Sequence, residues 1–332
     1  MAVYLGLDLG TDSTRITVSG KSQIICDPSV AAVDAAGNVI AAGAKALLTQ
    51  DRAPGTVTLR RPVISGAVTD FNLLAEMLDK MLESAAPRVK KQVAAAVNCS
   101  MSEADRRTLT SALSDCRCGS ICLVESPLAA LASFDESTVT ADSTEYGGTL
   151  LCDIGAGSVE AYYIRAGEIL RADKAISGGD AADREIITYI RRRYDVALTE
   201  LQAKELKHSA SLSASESAKE AEVTGVDVTS GIPRKVKVPL DGRFVQMCAP
   251  QTEAAAKLIC SVLANLPRQG ENILNADRIL VYGGGAAMVG MEEYLSAAVG
   301  RPVTVSPSPS DAVSRGLRSL LEKDATALFR AR

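Results

Sequence analysis

Polar and apolar residues alternate along Thr14-Arg15-Ile16-Thr17-Val18-Ser19-Gly20-Lys21, the two-residue period of a half-buried strand with a hairpin at Gly20. Just before it, Val3-Tyr4-Leu5-Gly6-Leu7 is an apolar run of strand length that ends at Asp8 and runs into the small-residue turn Leu9-Gly10-Thr11-Asp12-Ser13. Gln23 to Val33 reads as a third strand in the row, and 34–61, mixed and containing Gly and Pro, as a small subdomain inserted at the sheet edge. The period then changes. Asp70-Phe71-Asn72-Leu73-Leu74-Ala75-Glu76-Met77-Leu78-Asp79-Lys80-Met81-Leu82 places apolar residues three and four apart behind an Asp cap, which predicts an amphipathic helix. Val89 to Val97 predicts a strand and Ser102 to Leu113 a Ser-capped helix. Ile121 to Glu125 is the next strand, followed by the turn Glu125-Ser126-Pro127 and a helix with Pro127 in its first turn. Residues 135–147 are polar and read as a linker.

The pattern then restarts. Gly148-Thr149-Leu150-Leu151-Cys152-Asp153-Ile154-Gly155-Ala156-Gly157-Ser158 repeats the apolar strand, the terminal Asp, the Gly two residues on and the hydroxyl, and strands Val159–Ile164 and Ile169–Ala175 follow as in the first half. Ser177-Gly178-Gly179-Asp180 precedes a helix through Tyr194, and Thr199 caps the next one. Residues 209–222 read as a mobile loop, and Val223–Val228 with Arg234–Val238 as a hairpin turned at Ser230-Gly231-Ile232-Pro233. A long helix is expected over 250–266. Arg278–Tyr282 is a strand that feeds Gly283-Gly284-Gly285 and a helix start.

A strand that ends in an acid and turns through small residues to a hydroxyl is how a chain delivers backbone N–H groups to phosphate. Asp8 and Asp153 would each hold a hydrated Mg2+ through water, since Mg2+ keeps most of its waters and takes few carboxylates. One nucleotide would then sit between the two halves. The plainer alternative is that each is an ordinary tight Asp-x-Gly turn; the recurrence about 145 positions later favours phosphate. The triple glycine would let a flat ring or sugar lie on bare backbone, with a helix N-terminus favouring phosphates, or else serves close helix–strand packing.

With 332 residues and 47% apolar content, the chain is long enough for about two domains. A net charge of −4 leaves no electrostatic footprint for nucleic acid, and Arg191-Arg192-Arg193 reads as a solvated helix face. No Trp and a single His leave neither histidine metal sites nor base-stacking platforms. A strand that starts by Val3 leaves no room for a signal peptide, and no apolar run reaches the length of a membrane span, so the expected compartment is the cytoplasm. Of the eight cysteines, Cys26, Cys99, Cys152, Cys248 and Cys260 then read as small core hydrophobes. Cys116, Cys118 and Cys122 are spaced like part of a zinc loop but have no His nearby and no glycine before the last cysteine, which weighs against metal.

Motifs in order along nearly the whole chain resemble the bacterial actins of the MreB/Mbl family. They are Gly6-Leu7-Asp8-Leu9-Gly10-Thr11, Asp27-Pro28-Ser29-Val30, Arg61-Pro62 with Gly66 to Phe71, Pro127-Leu128-Ala129-Ala130, Asp153 to Glu160, Gly178-Gly179-Asp180, Tyr189 to Arg192, Gly225-Val226-Asp227 with Gly231 to Lys235, Gly283 to Ala286, and Asp311 to Gly316. The resemblance implies an α/β actin-like ATPase fold: two ribonuclease-H-like domains with duplicated βββαβα cores and small inserted subdomains, and ATP with Mg2+ in the interdomain cleft. The first core would take 1–33, 62–140 and 308–332 with 34–61 inserted, the second 146–180 and 245–307 with 181–244 inserted. By position, Gly10, Thr11, Asp12 and Ser13 would hold the outer phosphates, and Ala156, Gly157, Ser158 and Gly179 their other side. Gly283, Gly284, Gly285 and Ala286 would hold the adenosine, and Asp8 and Asp153 the metal.

The departures are informative. The family's turn reads Glu-Glu-Pro, its second Glu orienting the attacking water; here Glu125-Ser126-Pro127 puts a Ser there. Loss of such a base costs about 10²–10⁴ in rate and leaves binding intact. Glu125 would substitute only if the turn shifted, while Ser158 keeps the hydroxyl of the family's phosphate-side Thr. Asp12 replaces a small neutral residue and adds negative charge beside phosphate. The family's acidic ribose contact falls at Lys204, followed by Glu205 and Lys207. Its membrane attachments, an amphipathic leader or a bulky apolar loop, have no visible counterpart in Glu83-Ser84-Ala85-Ala86-Pro87-Arg88. The first expectation is a head-to-tail filament that scaffolds cell shape alongside cell-wall synthesis proteins, with weak ATPase activity. The alternatives are a non-polymerising, nucleotide-gated binding module and a small-molecule kinase, the latter without a catalytic Asp spaced for a substrate pocket.

Overall fold

The computed structural model describes residues 2–52, 55–134, 147–212, 220–266, 268–269 and 272–330. Most of the expected linker and the centre of the expected loop, 135–146 and 213–219, lie outside the described residues. The chain divides into two units, Met1–Ala141 with Asp311–Arg332, and Asp142–Ser310.

Unit 1 runs β1 (Ala2–Leu9), β2 (Ser13–Val18), β3 (Ile24–Pro28), β4 (Ala31–Asp34), β5 (Val39–Ala42), α1 (Ala44–Arg52), β6 (Val57–Arg60), β7 (Val63–Ile64), β8 (Ala67–Val68), α2 (Phe71–Ala85), β9 (Lys90–Val97), α3 (Glu103–Asp115), β10 (Cys118–Glu125) and α4 (Ser126–Leu131). Its main sheet has the order β10-β9-β1-β2-β3. Leu5 and Leu7 of β1 and Ile16 and Val18 of β2 are buried, and α2 covers them with Leu74, Met77, Leu78 and Leu82. Each such side chain removed from water stabilises the unit by about 1.5–3 kcal/mol. The caps form as expected: Asp70 accepts from the Leu73 N–H, and Ser102 from that of Asp105.

The single strand expected over Gln23–Val33 is two. The break falls at Ser29, whose N–H donates to Asp12 O (2.8 Å) and whose hydroxyl donates to Gly10 O (2.6 Å). The chain is thus tied to the first turn there, and β4 leaves for a second sheet, β5-β4-β6, backed by α1.

Unit 2 runs β11 (Gly147–Ile154), β12 (Val159–Arg165), β13 (Glu168–Ala175), α5 (Gly179–Tyr194), β14 (Val196–Ala197), α6 (Glu200–Ser209), β15 (Glu220–Asp227), β16 (Pro233–Pro239), α7 (Gly242–Ala264), β17 (Arg268–Gln269), β18 (Asn272–Ile273), β19 (Asn275–Tyr282), α8 (Met291–Val299) and β20 (Thr304–Val305). The chain then returns to unit 1 as α9 (Ala312–Arg330). The main sheet, β13-β12-β11-β19-β20, repeats the first strand for strand, with two antiparallel and two parallel pairings in the same places.

Two further expectations are corrected here. The long helix begins at Gly242, eight residues before Pro250, because Asp241 caps it by accepting from the N–H groups of Arg243 and Phe244. Pro250 therefore lies inside the helix, where its cost of about 3 kcal/mol is offset by burial of Phe244, Met247 and Cys248. After the triple glycine there is only one 3-10 turn, Gly284–Ala287, and the next α-helix waits until Met291. No described helix is long and apolar enough to cross a membrane.

Candidate functional site

The two Asp-bearing turns are one hairpin built twice. In unit 1 the Gly10 N–H donates to Ser13 O at 3.1 Å, and in unit 2 the Gly155 N–H donates to Ser158 O at 2.9 Å. A Cβ on Gly10 or Gly155 would press on that same carbonyl, at 2.8 and 3.0 Å respectively. The flanking registers also match, Asp8 opposite Arg15 and Asp153 opposite Glu160.

In the first turn the carbonyls are drawn to one side. Gly10 O accepts from the Ser29 hydroxyl, Thr11 O from Arg61 Nη1 (3.2 Å), and Asp12 O from the Ser29 N–H and Arg61 Nη1 (3.3 Å). A trans peptide points its N–H opposite to its C=O, so the amides of Thr11, Asp12 and Ser13 are turned away from Ser29 and Arg61, as an anion cradle requires. Beside them, Arg15 donates from Nε to Asp311 Oδ1 (2.9 Å) and from Nη1 to Ser13 Oγ (2.8 Å). Burial pushes the Asp8 carboxyl up to about 6; Arg15 opposes that rise and Asp311 adds to it.

In the second turn backbone does the same work. Gly155 O and Ala156 O accept from the first amides of α5, those of Gly179 (3.1 Å) and Asp180 (2.9 Å), and a Cβ on Gly178 would run into Ala156 O. The N–H groups of Ala156 and Gly157 therefore face the other way. Ser158 Oγ is 3.4 Å from Glu160 Oε1, and that buried carboxylate is paired with Lys174 (3.2 Å) and accepts from the Tyr162 hydroxyl. Gly283 has φ +93°, and a Cβ there would run into Asp153 Oδ1; one on Gly285 would meet Ile154. Close packing thus accounts for two of the three glycines. Gly284 has only Ser310 Oγ near its missing Cβ, at 3.9 Å, and Ala286 of the same turn is buried.

The remaining expected contacts divide by burial. Lys204 is half-buried and Glu205 exposed on α6, whereas Lys207 is buried, paired with Asp183 (2.8 Å) and donating to Gly179 O (3.2 Å). Gly179 is likewise buried, with both backbone polar groups engaged inside unit 2.

The family described as MreB/Mbl protein matches residues 2–328. The chain belongs to the MreB/Mbl family. It is 27% identical to the cell shape-determining protein MreB of Escherichia coli strain K12, covering 96% of this chain and 93% of that one. It is equally 27% identical to the cell shape-determining protein Mbl of Bacillus subtilis strain 168, covering 96% and 95%. Among solved structures, MreB5 of Spiroplasma citri bound to ADP superposes with a TM-score of 0.81 at 21% identity, over 100% of this chain and 99% of that one. The MamK double helical filament gives 0.74 at 18%, over 97% and 99%. The fold is actin-like.

At the β10–α4 junction, Glu125 is held by Arg106 through both oxygens, Nη1 to Oε1 at 2.8 Å and Nη2 to Oε2 at 3.2 Å, so its carboxylate is committed to an ion pair. Ser126 is buried and its hydroxyl lies 3.1 Å from Asn98 Oδ1. Arg15, Arg61, Asn98, Arg106 and Asp183 were not assigned roles from the sequence. The Gly10–Ser13 turn fixes the hairpin register and thereby places Arg15 opposite Asp8; the partners of the others are set by tertiary packing. Cys116 and Cys118 are thiols that burial raises to about 12 and about 11, and the Cys116 Sγ donates to Ala112 O (3.1 Å). Among the described residues no cluster of His, Cys, Asp and Glu is grouped to hold a metal ion.

Proposed function

We propose that this chain is a nucleotide-dependent, filament-forming protein of the MreB type that acts in cell shape, with slow ATP hydrolysis. The observation that carries the reading is the pair of matched turns, each with small residues, outward-turned amides and a carboxylate two residues before its glycine. That donor set fits ATP with Mg2+: hard carboxylate oxygens suit a hydrated Mg2+, and the amides suit phosphate. Asp8 and Asp153 would hold the metal's waters, Gly10 to Ser13 and Ala156 to Ser158 the phosphates, and Gly284 leaves bare backbone for the nucleoside. The ion would supply neutralisation of phosphate charge. The relatives' names support a role in cell shape, the ADP-bound neighbour supports nucleotide, and the MamK filament supports self-assembly. Inserted subdomains are read at 34–61 and 181–244, the location as cytoplasm, and the partners as further copies of the chain and cell-wall synthesis proteins.

Slow turnover follows from the β10–α4 junction, where Arg106 holds Glu125 and Ser126 offers a hydroxyl but no base. Pelleting and electron microscopy with ATP test assembly; protein that stays monomeric at high concentration overturns it in favour of the nucleotide-gated module. Phosphate release tests the junction. Ser126→Glu is expected to raise the rate by about tenfold or more, and no change would show that this position does not address the attacking water.

A further inference from the structure

Arg15 stands directly opposite Asp8 in the β1–β2 register, and side chains at opposed antiparallel positions share a face, with Cβ atoms about 4.5–5.5 Å apart. Its side chain is only 15% exposed, and its fork is fixed at two points, Asp311 Oδ1 and Ser13 Oγ. Ser13 is itself a member of the phosphate turn. The guanidinium is permanently charged and cannot be titrated away; Asp311 pairs with Nε and offsets part of that charge, while Nη1 carries the rest to Ser13, beside the place where Asp8 would gather a hydrated metal. The hairpin does not need that cation: the duplicate in unit 2 has Glu160 at the same register position and closes the same turn.

We propose that Arg15 is a resident cation of the first phosphate turn, supplying part of the charge that Mg2+ would otherwise supply and making nucleotide binding less dependent on Mg2+. The proposal rests on the nucleotide reading above. A phosphate near Ser13 feels a fixed positive charge in a poorly solvated setting, where charges act more strongly than in water. A divalent ion drawn to Asp8 meets a like charge that cannot move off, because Asp311 and Ser13 hold it. A purely structural Arg15, tying the returning segment at Asp311 to the hairpin, would leave the Mg2+ dependence of binding alone.

Calorimetric ATP affinity, measured with excess Mg2+ and again with EDTA, separates the two. Wild type is expected to lose about tenfold or less on removal of Mg2+. Arg15→Met and Arg15→Gln, which keep length and lose charge, are expected to widen that ratio by about tenfold or more, while Arg15→Lys keeps it near wild type. Melting temperatures establish that the variants are folded. A ratio unchanged in both neutral variants overturns the proposal, and so does wild type that loses about a hundredfold or more with EDTA, an outcome that needs no variant. Wild type that binds ATP in neither condition overturns the nucleotide reading itself, and the proposal with it.

Discussion

The two turns share a backbone and differ in what enforces it. In unit 1 the carbonyls of Gly10, Thr11 and Asp12 are taken by side chains of Ser29 and Arg61 as well as by an amide; in unit 2 those of Gly155 and Ala156 are taken by the amides that open α5. Across from the conserved geometry the charge is reversed, Arg15 against Glu160. Duplication has therefore kept the small residues and the register, which set where amides point, and has let the surrounding charge diverge. The first turn is held by groups that can be removed one at a time. The second is held by the amides that open α5, beside which Gly178 leaves no room for a side chain.

The strongest way to break the second turn is accordingly to add a methyl group. Gly283→Ala would place a Cβ against Asp153 Oδ1 at a φ of +93° that L residues rarely adopt. The combined strain and overpacking should cost about 2–4 kcal/mol, read as a fall in the urea midpoint, and ATP affinity should fall with it. Gly284→Ala, with its nearest neighbour at 3.9 Å and no positive φ, should leave stability nearly unchanged. Equal effects at the two positions would mean that the packing against Asp153 is looser than the geometry requires.

A smaller effect of opposite sign is expected at the matching acid of unit 1. The Asp8 carboxyl is raised to about 6 from an ordinary 3.8 because burial disfavours its charge. A carboxyl raised by folding stabilises least when ionised: its favourable contribution is complete below its unfolded value and is lost as pH rises through about 6. Asp8→Asn should therefore stabilise the protein at pH 8 by about 1–2 kcal/mol, discounted for partial solvent access, and by less at pH 5, while abolishing any Mg2+ response. Urea unfolding at the two pH values checks it; a gain independent of pH would mean that Asp8 does not carry this penalty.

These contrasts also mark what the sequence could reveal. Helix caps at Asp70, Ser102 and Thr199, and the Gly-to-Ser turns, were legible because cause and effect lie within four residues. The end of β3 was not, since Ser29 breaks the strand through bonds to Gly10 and Asp12, nearly twenty residues back. The start of the long helix was not legible either: its cap lies nine residues before Pro250, and buried apolar side chains outweigh the proline inside it. Lys207 carries no local sign that it will be buried against Asp183. Glu125 shows the same limit at the β10–α4 junction: its identity was plain, but its engagement with Arg106 depends on α3 packing beside β10.

The finest test of the comparison is at Arg61, whose single Nη1 reaches the carbonyls of both Thr11 and Asp12 at 3.2 and 3.3 Å. These are long bonds, and a net hydrogen bond contributes only about 0.5–1.5 kcal/mol, so Arg61→Met should lower stability by about 1 kcal/mol or less. Its sharper consequence is local. With Thr11 O released, the peptide between Thr11 and Asp12 can rotate while Asp12 O keeps the Ser29 N–H (2.8 Å), so the Asp12 amide should exchange with solvent faster while those of Ala156 and Gly157 keep their wild-type rates. Hydrogen exchange resolved to the two turns reads this directly. Faster exchange in both turns would mean that they are not independently braced, and the distinction between a side-chain-held turn and a backbone-held one would fall.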